Sequence, residues 1–300
     1  MNCLRLVSLM APNAEVFYRA VAGWLARRSG LDFEVESSVP WQERERMLDR
    51  GEAHIGFLCG LSYVRKVDGS GPELKLLAAP VMQRHRYGGK QAYFSDVVVR
   101  RDSPFRRFED LCGASWAYNE PGSHSGFNLP LAHLARHGAF DGFFRRVVES
   151  AAHQNSLQLV ARGQVDAAAI DSIVLEREIA LQSDSVAAVR VLETLGPSPA
   201  PPAVVHGAVP ATVRDRLREL LTTMHEHAEG RAILRAACVS HFMPVSDRDY
   251  DPNREIEDIA AKVRWCVETP TRKNGHERSK HWTCSSESND RSGSLRPAAC

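Results

Sequence analysis

The sequence lacks any long hydrophobic run. Although 43% of its 300 residues are hydrophobic, no stretch approaches the ~20 uninterrupted apolar residues of a membrane-spanning helix. It also lacks an excess of either charge. Lys and Arg number 38 against 37 Asp and Glu, a formal net charge of +1, which gives no basis for a nucleic-acid-binding or membrane-surface protein. C-x-x-C is missing. The seven cysteines, at 3, 59, 112, 238, 266, 284 and 300, are scattered and odd in number, which predicts separate reduced thiols rather than a disulfide framework or a zinc site. The motifs G-x-x-x-x-G-K-[ST] and G-x-G-x-x-G are missing too, which argues against nucleoside triphosphates and dinucleotides. The start, MNCLRLVSLMAP, has no basic segment leading into an apolar one. It reads as a strand and not a signal peptide, so the chain as written is expected in the cytoplasm. There is no internal repeat.

What is present is an alternation of strand and helix patterns. LRLVSL reads as a strand. AEVFYRAVAGWLARRSG places Val16, Phe17, Ala20, Val21, Trp24 and Leu25 on one helical face and stops at Gly30. DFEVESS alternates as a strand does, PWQERERMLDRGEA is a short helix with Pro40 near its start, and HIGFLCG and LKLLAAPVM are buried strands. This order predicts an open, largely parallel sheet with helices on both faces. KQAYFSDVVVRRDSP then runs as an extended strand into a second α/β series: ASWAYN, LPLAHLARHGAF, RVVES, NSLQLVARGQ, VDAAAIDS and IVLEREIALQ. VAAVRVLETL leads into GPSPAPPAVV, a proline-rich connector. Helical patterns follow in PATVRDRLRELLTTMHEHA, EGRAILRAACV and EIEDIAAKVRWCVE.

The expected organisation is a two-lobed α/β protein. Residues 1–92 and 202–267 form one discontinuous lobe, and residues 93–201 form a second that includes both hinge crossings. Residues 268–300, rich in Ser, Arg and Asn, are read as a disordered tail. Two lobes joined by two crossings predict a hinged cleft, a favoured place for a ligand.

The most informative stretch is YNEPGSHSGFN, residues 118–128. Three readings compete for it. It can be a plain helix start capped by serine. It can be a nucleophile turn, although G-x-S-x-G requires serine where His124 stands, and the triad Ser125–His153–Asp171 has only its chain order to recommend it. Or it can be an anion cradle, in which glycines admit the ligand and Ser123, His124 and Ser125 add donors to those of a helix N-terminus. Pro130, early in the helix and without an N–H, predicts an irregular first turn. Elsewhere, Glu176 and Glu178 read as a solvated helix face. His133 and His137 share a helix face but lack a third metal ligand.

The order of these motifs carries a resemblance. AYFSDVVVRRDSPFRRFEDLCGASWAYNEPGSHSG followed by SAAHQNSLQLVARGQVDAAAIDS resembles the phosphate/phosphite/phosphonate-binding proteins of ABC importers, over about residues 4–250. The resemblance implies the type II periplasmic-binding-protein fold. It also implies that Ser123, His124 and Ser125 hydrogen-bond the oxyanion, that His153 joins them, and that Asp171 meets the ligand's other end. Tyr63 is implied as the first-lobe tyrosine facing the cleft, and Tyr93 in AYFSD is a further ligand-binding candidate. The chain departs from the family at His124, where threonine is common.

The function expected on these grounds is capture of a small oxyanion without chemistry. Such a protein would be a monomer with no catalytic residues, cofactor or metal, serving an ABC permease and ATPase. The alternatives are an enzyme on the same fold, a lyase or hydrolase, or a cytoplasmic ligand sensor.

Overall fold

The computed structural model describes residues 3–138 and 142–263. The expected tail, 268–300, lies outside the described residues. Along the chain come β1 (Cys3–Ser8), α1 (Glu15–Ser29), β2 (Asp32–Glu36), α2 (Trp41–Asp49), β3 (Ile55–Phe57), α3 (Gly60–Asp68) and β4 (Leu74–Met82). Next are β5 (Ala92–Arg100), β6 (Ser115–Tyr118), α4 (Leu129–Arg136), β7 (Arg146–Glu149), α5 (His153–Ala161) and β8 (Ala167–Asp171). The remainder is α6 (Ser172–Ala180), α7 (Asp184–Ala187), β9 (Val189–Pro199), β10 (Ala203–His206), α8 (Ala211–Thr223), α9 (Ala228–Ala236), β11 (Val239–Met243) and α10 (Asp251–Ala260).

The chain packs as two compact units. One comprises Met1–Phe94, Ser172–Leu181 and Gly196–Glu255; the other comprises Ser95–Asp171, Gln182–Leu195 and the chain from Ile256.

The first unit is built on a six-stranded sheet of order β11-β4-β10-β3-β1-β2. Its β1 pairs in parallel with β2 and β3, as a β-α-β order dictates, but β10 and β11 run antiparallel to their neighbours. The expectation of a largely parallel sheet is corrected accordingly: β10 enters between β3 and β4 after a long excursion of the chain, and no local pattern announces its direction. On α1 the apolar stripe buries Tyr18, Val21, Ala22, Trp24 and Leu25 and ends at left-handed Gly30. Val16, expected on that stripe, is 71% exposed, because it stands two residues before Tyr18, about 200° around the helix, and so faces away from the stripe. The Tyr18 ring stacks on Phe57 at 4.2 Å, and Trp24 is fully buried beneath them.

Glu176 on α6 is also corrected. It is buried rather than solvated, with its carboxylate 3.4 Å from Arg84 and close to Tyr87. Glu178, next on the same helix, accepts from Asn13.

The second unit carries a five-stranded sheet of order β7-β6-β8-β5-β9. β6 lies parallel between β7 and β8, while β5 runs antiparallel to β8. Trp116 on β6 stacks against Phe144 at 4.7 Å in a core shared with Phe108, Leu131 and Ile256. The expected proline-rich connector is in part strand, because β9 continues through Pro197 and Pro199. β9 is the edge of its sheet, where a residue without an N–H leaves no ladder bond unmade. Cys112 is disulfide-bonded, whereas Cys3, Cys59 and Cys238 form no disulfide. The expectation of reduced thiols therefore fails at Cys112; scattered spacing carries no information about which cysteines meet in space.

Candidate functional site

Parallel strands deliver their following residues to one edge of a sheet, and ligands of open α/β sheets bind beyond the carboxyl ends of the strands. Three neighbouring parallel strands of the second unit end this way. β6 is followed by the stretch from Asn119 to Asn128. β7 is followed by a short turn and His153, the first residue of α5. β8 ends on Asp171. Five of the residues selected from the sequence, Ser123, His124, Ser125, His153 and Asp171, are thus carried to one edge by the register of the sheet. All five are buried.

The local geometry follows from Ser123 and Pro130. Ser123 has extended backbone and caps the helix: its Oγ accepts from the Gly126 N–H at 3.0 Å. The first turn, His124–Asn128, is wide, with the Asn128 N–H reaching back to the Ser123 carbonyl at 3.1 Å. Asn128 Nδ2 donates to the same carbonyl at 2.9 Å. The wide turn runs directly into α4, where Pro130 stands second and, lacking an N–H, can make no bond back into that turn. The irregular turn expected from Pro130 is therefore present.

Ser125 and His153 form the centre. Ser125 Oγ lies 3.1 Å from His153 Nε2. The Ser125 carbonyl accepts from the Ser95 hydroxyl at 2.7 Å, which ties the loop to β5. Burial lowers the His153 pKa from 6.5 to about 4, only partly opposed by the Ala169 backbone. The imidazole is therefore neutral at physiological pH. Gly126 is required for shape. A Cβ there would stand 1.9 Å from Asn119 Oδ1 and 3.1 Å from His153 Cε1.

The two tyrosines belong to the first unit. Tyr63 on α3 donates to Asp247 Oδ1 at 2.9 Å, and its ring lies 5.1 Å from that of Tyr250. Burial and the Asp247 carboxylate push its ionisation well above the ordinary tyrosine range. Arg254 completes this network, binding Asp247 at 3.1 Å and Asp68 at 2.7 Å. Tyr93 is buried within the core built around Trp24 and Phe57.

Sequence reasoning included Gly126 among the glycines of the loop, but it singled out neither Asn119 within that stretch nor Ser95, which ties the loop to β5. Ser95 had a signal, since it is a polar residue in the otherwise apolar AYFSDVVVR. Asn119 had none beyond its place at a strand end. His133 is occupied by packing: its ring lies edge-on to Phe108 at 4.4 Å, its Nε2 is 3.6 Å from Glu193, and burial lowers its pKa to about 4.

The fold is that of the type II periplasmic binding proteins: two α/β units, each with its own sheet, with a serine-capped helix start at the strand ends of the second. The family model described as ABC transporter, phosphonate, periplasmic substrate-binding protein matches residues 10–250, and the chain belongs to that family. The phosphonates-binding periplasmic protein of Escherichia coli K12 is 24% identical over 173 residues, 56% of this chain. The match spans about half, 51%, of that relative's own length.

Among solved structures, the binding protein component of an ABC phosphonate transporter from Pseudomonas aeruginosa is similar at 18% identity and a TM-score of 0.75, covering 86% of each chain. PhnD1 of Prochlorococcus marinus, solved in complex with methylphosphonate, is similar at 14% identity and a TM-score of 0.76, covering 87% of this chain and 99% of its own. A Xanthomonas citri protein solved with ATP is similar at 18% identity and a TM-score of 0.67, covering 88% of this chain and 98% of its own. At these identities the structural likeness establishes the fold.

Proposed function

We propose that this protein captures a phosphonate, or a closely related small phosphorus oxyanion, on the helix start at Ser123–Ser125 and presents it to an ABC permease and ATPase. The observation that carries this is the convergence of Ser123, Ser125, His153 and Asp171 at the ends of β6, β7 and β8. N–H groups and hydroxyls held at a helix start are donors to a negatively charged oxygen. Asp171, at the end of β8, would favour a ligand tail that is cationic or bears a hydroxyl.

Binding without chemistry is the reading the Ser125–His153 pair supports. A serine nucleophile needs a histidine that can accept its proton and a carboxylate that stabilises the resulting imidazolium. Here burial holds the imidazole pKa near 4, and the group acting on it besides burial is the Ala169 backbone, not a carboxylate. Such a histidine is a poor base and a good neutral hydrogen-bond partner.

An exported protein fits the family description and Cys112, because disulfides persist in oxidising compartments. Among the described residues no helix is long and apolar enough to cross a membrane.

Isothermal titration of the purified, phosphate-free protein with methylphosphonate, phosphite, phosphate, ATP and sulfate tests the proposal. Phosphorus NMR of the recovered ligand reads turnover in the same sample. Saturable binding of a small phosphorus oxyanion without turnover is expected. Conversion of the ligand, or binding of none of the small phosphorus oxyanions by folded protein, contradicts it.

A further inference from the structure

One buried group at the oxyanion loop is left unmet by the fold. Asn119 directly follows β6 and is 7% exposed, and its Oδ1 has no hydrogen-bond donor among the described residues. Buried carboxamide oxygens almost always have a partner, and an orphan calls for an explanation. This one lies against Gly126, within 1.9 Å of where a Cβ would stand, and His153 Cε1 is on the same side at 3.1 Å. An unused acceptor, the capped helix start and the Ser125–His153 pair therefore converge.

Cations are missing from the same place. No Lys or Arg occurs from Tyr118 to Asn128, on α5 or on β8. The titratable and charged groups on the loop and its supporting elements are Glu120 and His124 on the loop, Tyr118 on β6, Tyr93 and Asp96 on β5, Arg146 at the start of β7 and Glu149 at its end, Asp171 on β8 and His153 on α5. On β5, Arg100 at the far end is engaged by Asp102 at 2.9 Å. α4 adds only His133 and Arg136 in its last turn. The loop and the strand ends beside it offer a ligand dipoles and neutral donors, with carboxylates at Glu120 on the loop, Glu149 at the end of β7 and Asp171 at the end of β8.

We propose that Asn119 is a further ligand-binding residue whose Oδ1 accepts the proton of a P–OH group, so that the loop takes the singly charged, hydrogen-bearing form of a phosphorus oxyanion. The proposal rests on the reading of the loop as the oxyanion site. A phosphonate monoanion has two oxygens that share the charge and receive donors, and one hydroxyl that must donate. The dianion has nothing to donate to Asn119 and carries a second charge that no Lys or Arg of the loop, α5 or β8 meets. A sulfonate has the same shape and a single charge but no hydroxyl, and it would leave Asn119 unmet. Sites built to pair a ligand hydroxyl reject the analogue that lacks it far more strongly than apolar pockets reject a missing methylene.

The test is isothermal titration of the full chain and of Asn119→Ala with methylphosphonate and with methanesulfonate between pH 5 and 9. For the wild-type protein, methylphosphonate affinity is expected to be level below the ligand's second ionisation and to fall about tenfold per pH unit above it, as the bound form is depleted. Methanesulfonate, which does not titrate in this range, reports any titration of protein groups such as His124. It should bind at least about a hundredfold more weakly than methylphosphonate at pH 6. Asn119→Ala should narrow that gap about tenfold or more.

A methylphosphonate affinity that is level or rises through the second ionisation overturns the proposal. So does a sulfonate that binds equally well. Both of these need only wild-type protein. A gap unchanged in folded Asn119→Ala removes Asn119 from the site. Failure of methylphosphonate to bind at every pH contradicts the oxyanion reading itself and is distinct from these results.

Discussion

Ser125 Oγ stands 3.1 Å from Nε2 of His153, and burial keeps that imidazole neutral down to about pH 4. The two residues are separated by 28 positions in the chain and are brought together because β6 and β7 are parallel neighbours whose carboxyl ends share one edge. The pair fixes the orientation of a hydroxyl at a helix start. Ser125→Ala removes that hydroxyl and, on the proposed reading, one hydrogen bond to a charged ligand oxygen. Methylphosphonate binding should weaken by about 1–3 kcal/mol, measured by titration calorimetry; unchanged affinity takes Ser125 out of the site.

His153 also sets a pH dependence of stability. Its folded pKa, about 4, lies below the ordinary 6.5. Between these values the unfolded chain binds more protons than the folded one, so stability rises with pH across this window. The His153 contribution is fully present above about pH 6.5 and is lost as pH falls toward 4, amounting to up to about 3 kcal/mol. Urea unfolding between pH 4 and 7 should show this slope, and His153→Gln should reduce it. A slope unaltered in the variant assigns the effect to other groups.

Gly126 admits no side chain. Gly126→Ala puts a methyl 1.9 Å from the resting place of Asn119 Oδ1, so the loop must open or Asn119 must leave. A loss of stability of about 1–3 kcal/mol is expected from such overpacking, with ligand affinity falling at least about tenfold because the loop is displaced. Thermal unfolding and calorimetry on one preparation read both effects.

Arg254 gathers Asp68, Asp247 and Asp251 around one guanidinium, and Asp247 in turn receives the Tyr63 hydroxyl. The carboxylates are about half exposed, so each pair alone is worth little, but a bidentate network with a buried tyrosine behind it is worth more. Arg254→Ala should destabilise the protein by about 1–2 kcal/mol in urea unfolding, with a smaller difference in 1 M salt.

Much of this was legible in the sequence. The alternation of patterns gave the α/β class, and Ser123, Ser125 and His153 were chosen before their meeting could be seen. The strand β11 went unread, since SHFMP is short and follows a helix without a turn signal. The antiparallel entry of β10 is a long-range pairing that no local period encodes. Glu176 reads as surface because a charged residue in an amphipathic helix usually is; its burial depends on Arg84 and Tyr87, about ninety residues away in the chain. Asn119 is invisible for a similar reason. Its meaning lies in an unpaired oxygen pressed against Gly126, and pairing is a property of three dimensions.

The central claim is that the helix start at Ser123–Ser125 holds a small phosphorus oxyanion. Thermal unfolding of phosphate-free protein, titrated in turn with methylphosphonate, phosphite, phosphate, sulfate and acetate, tests it most directly, because a ligand bound only by the folded state raises the midpoint with its concentration. The account predicts a concentration-dependent rise confined to the phosphorus oxyanions, lost in Ser125→Ala. A midpoint that none of them moves, in protein shown to be folded and free of ligand, would contradict it.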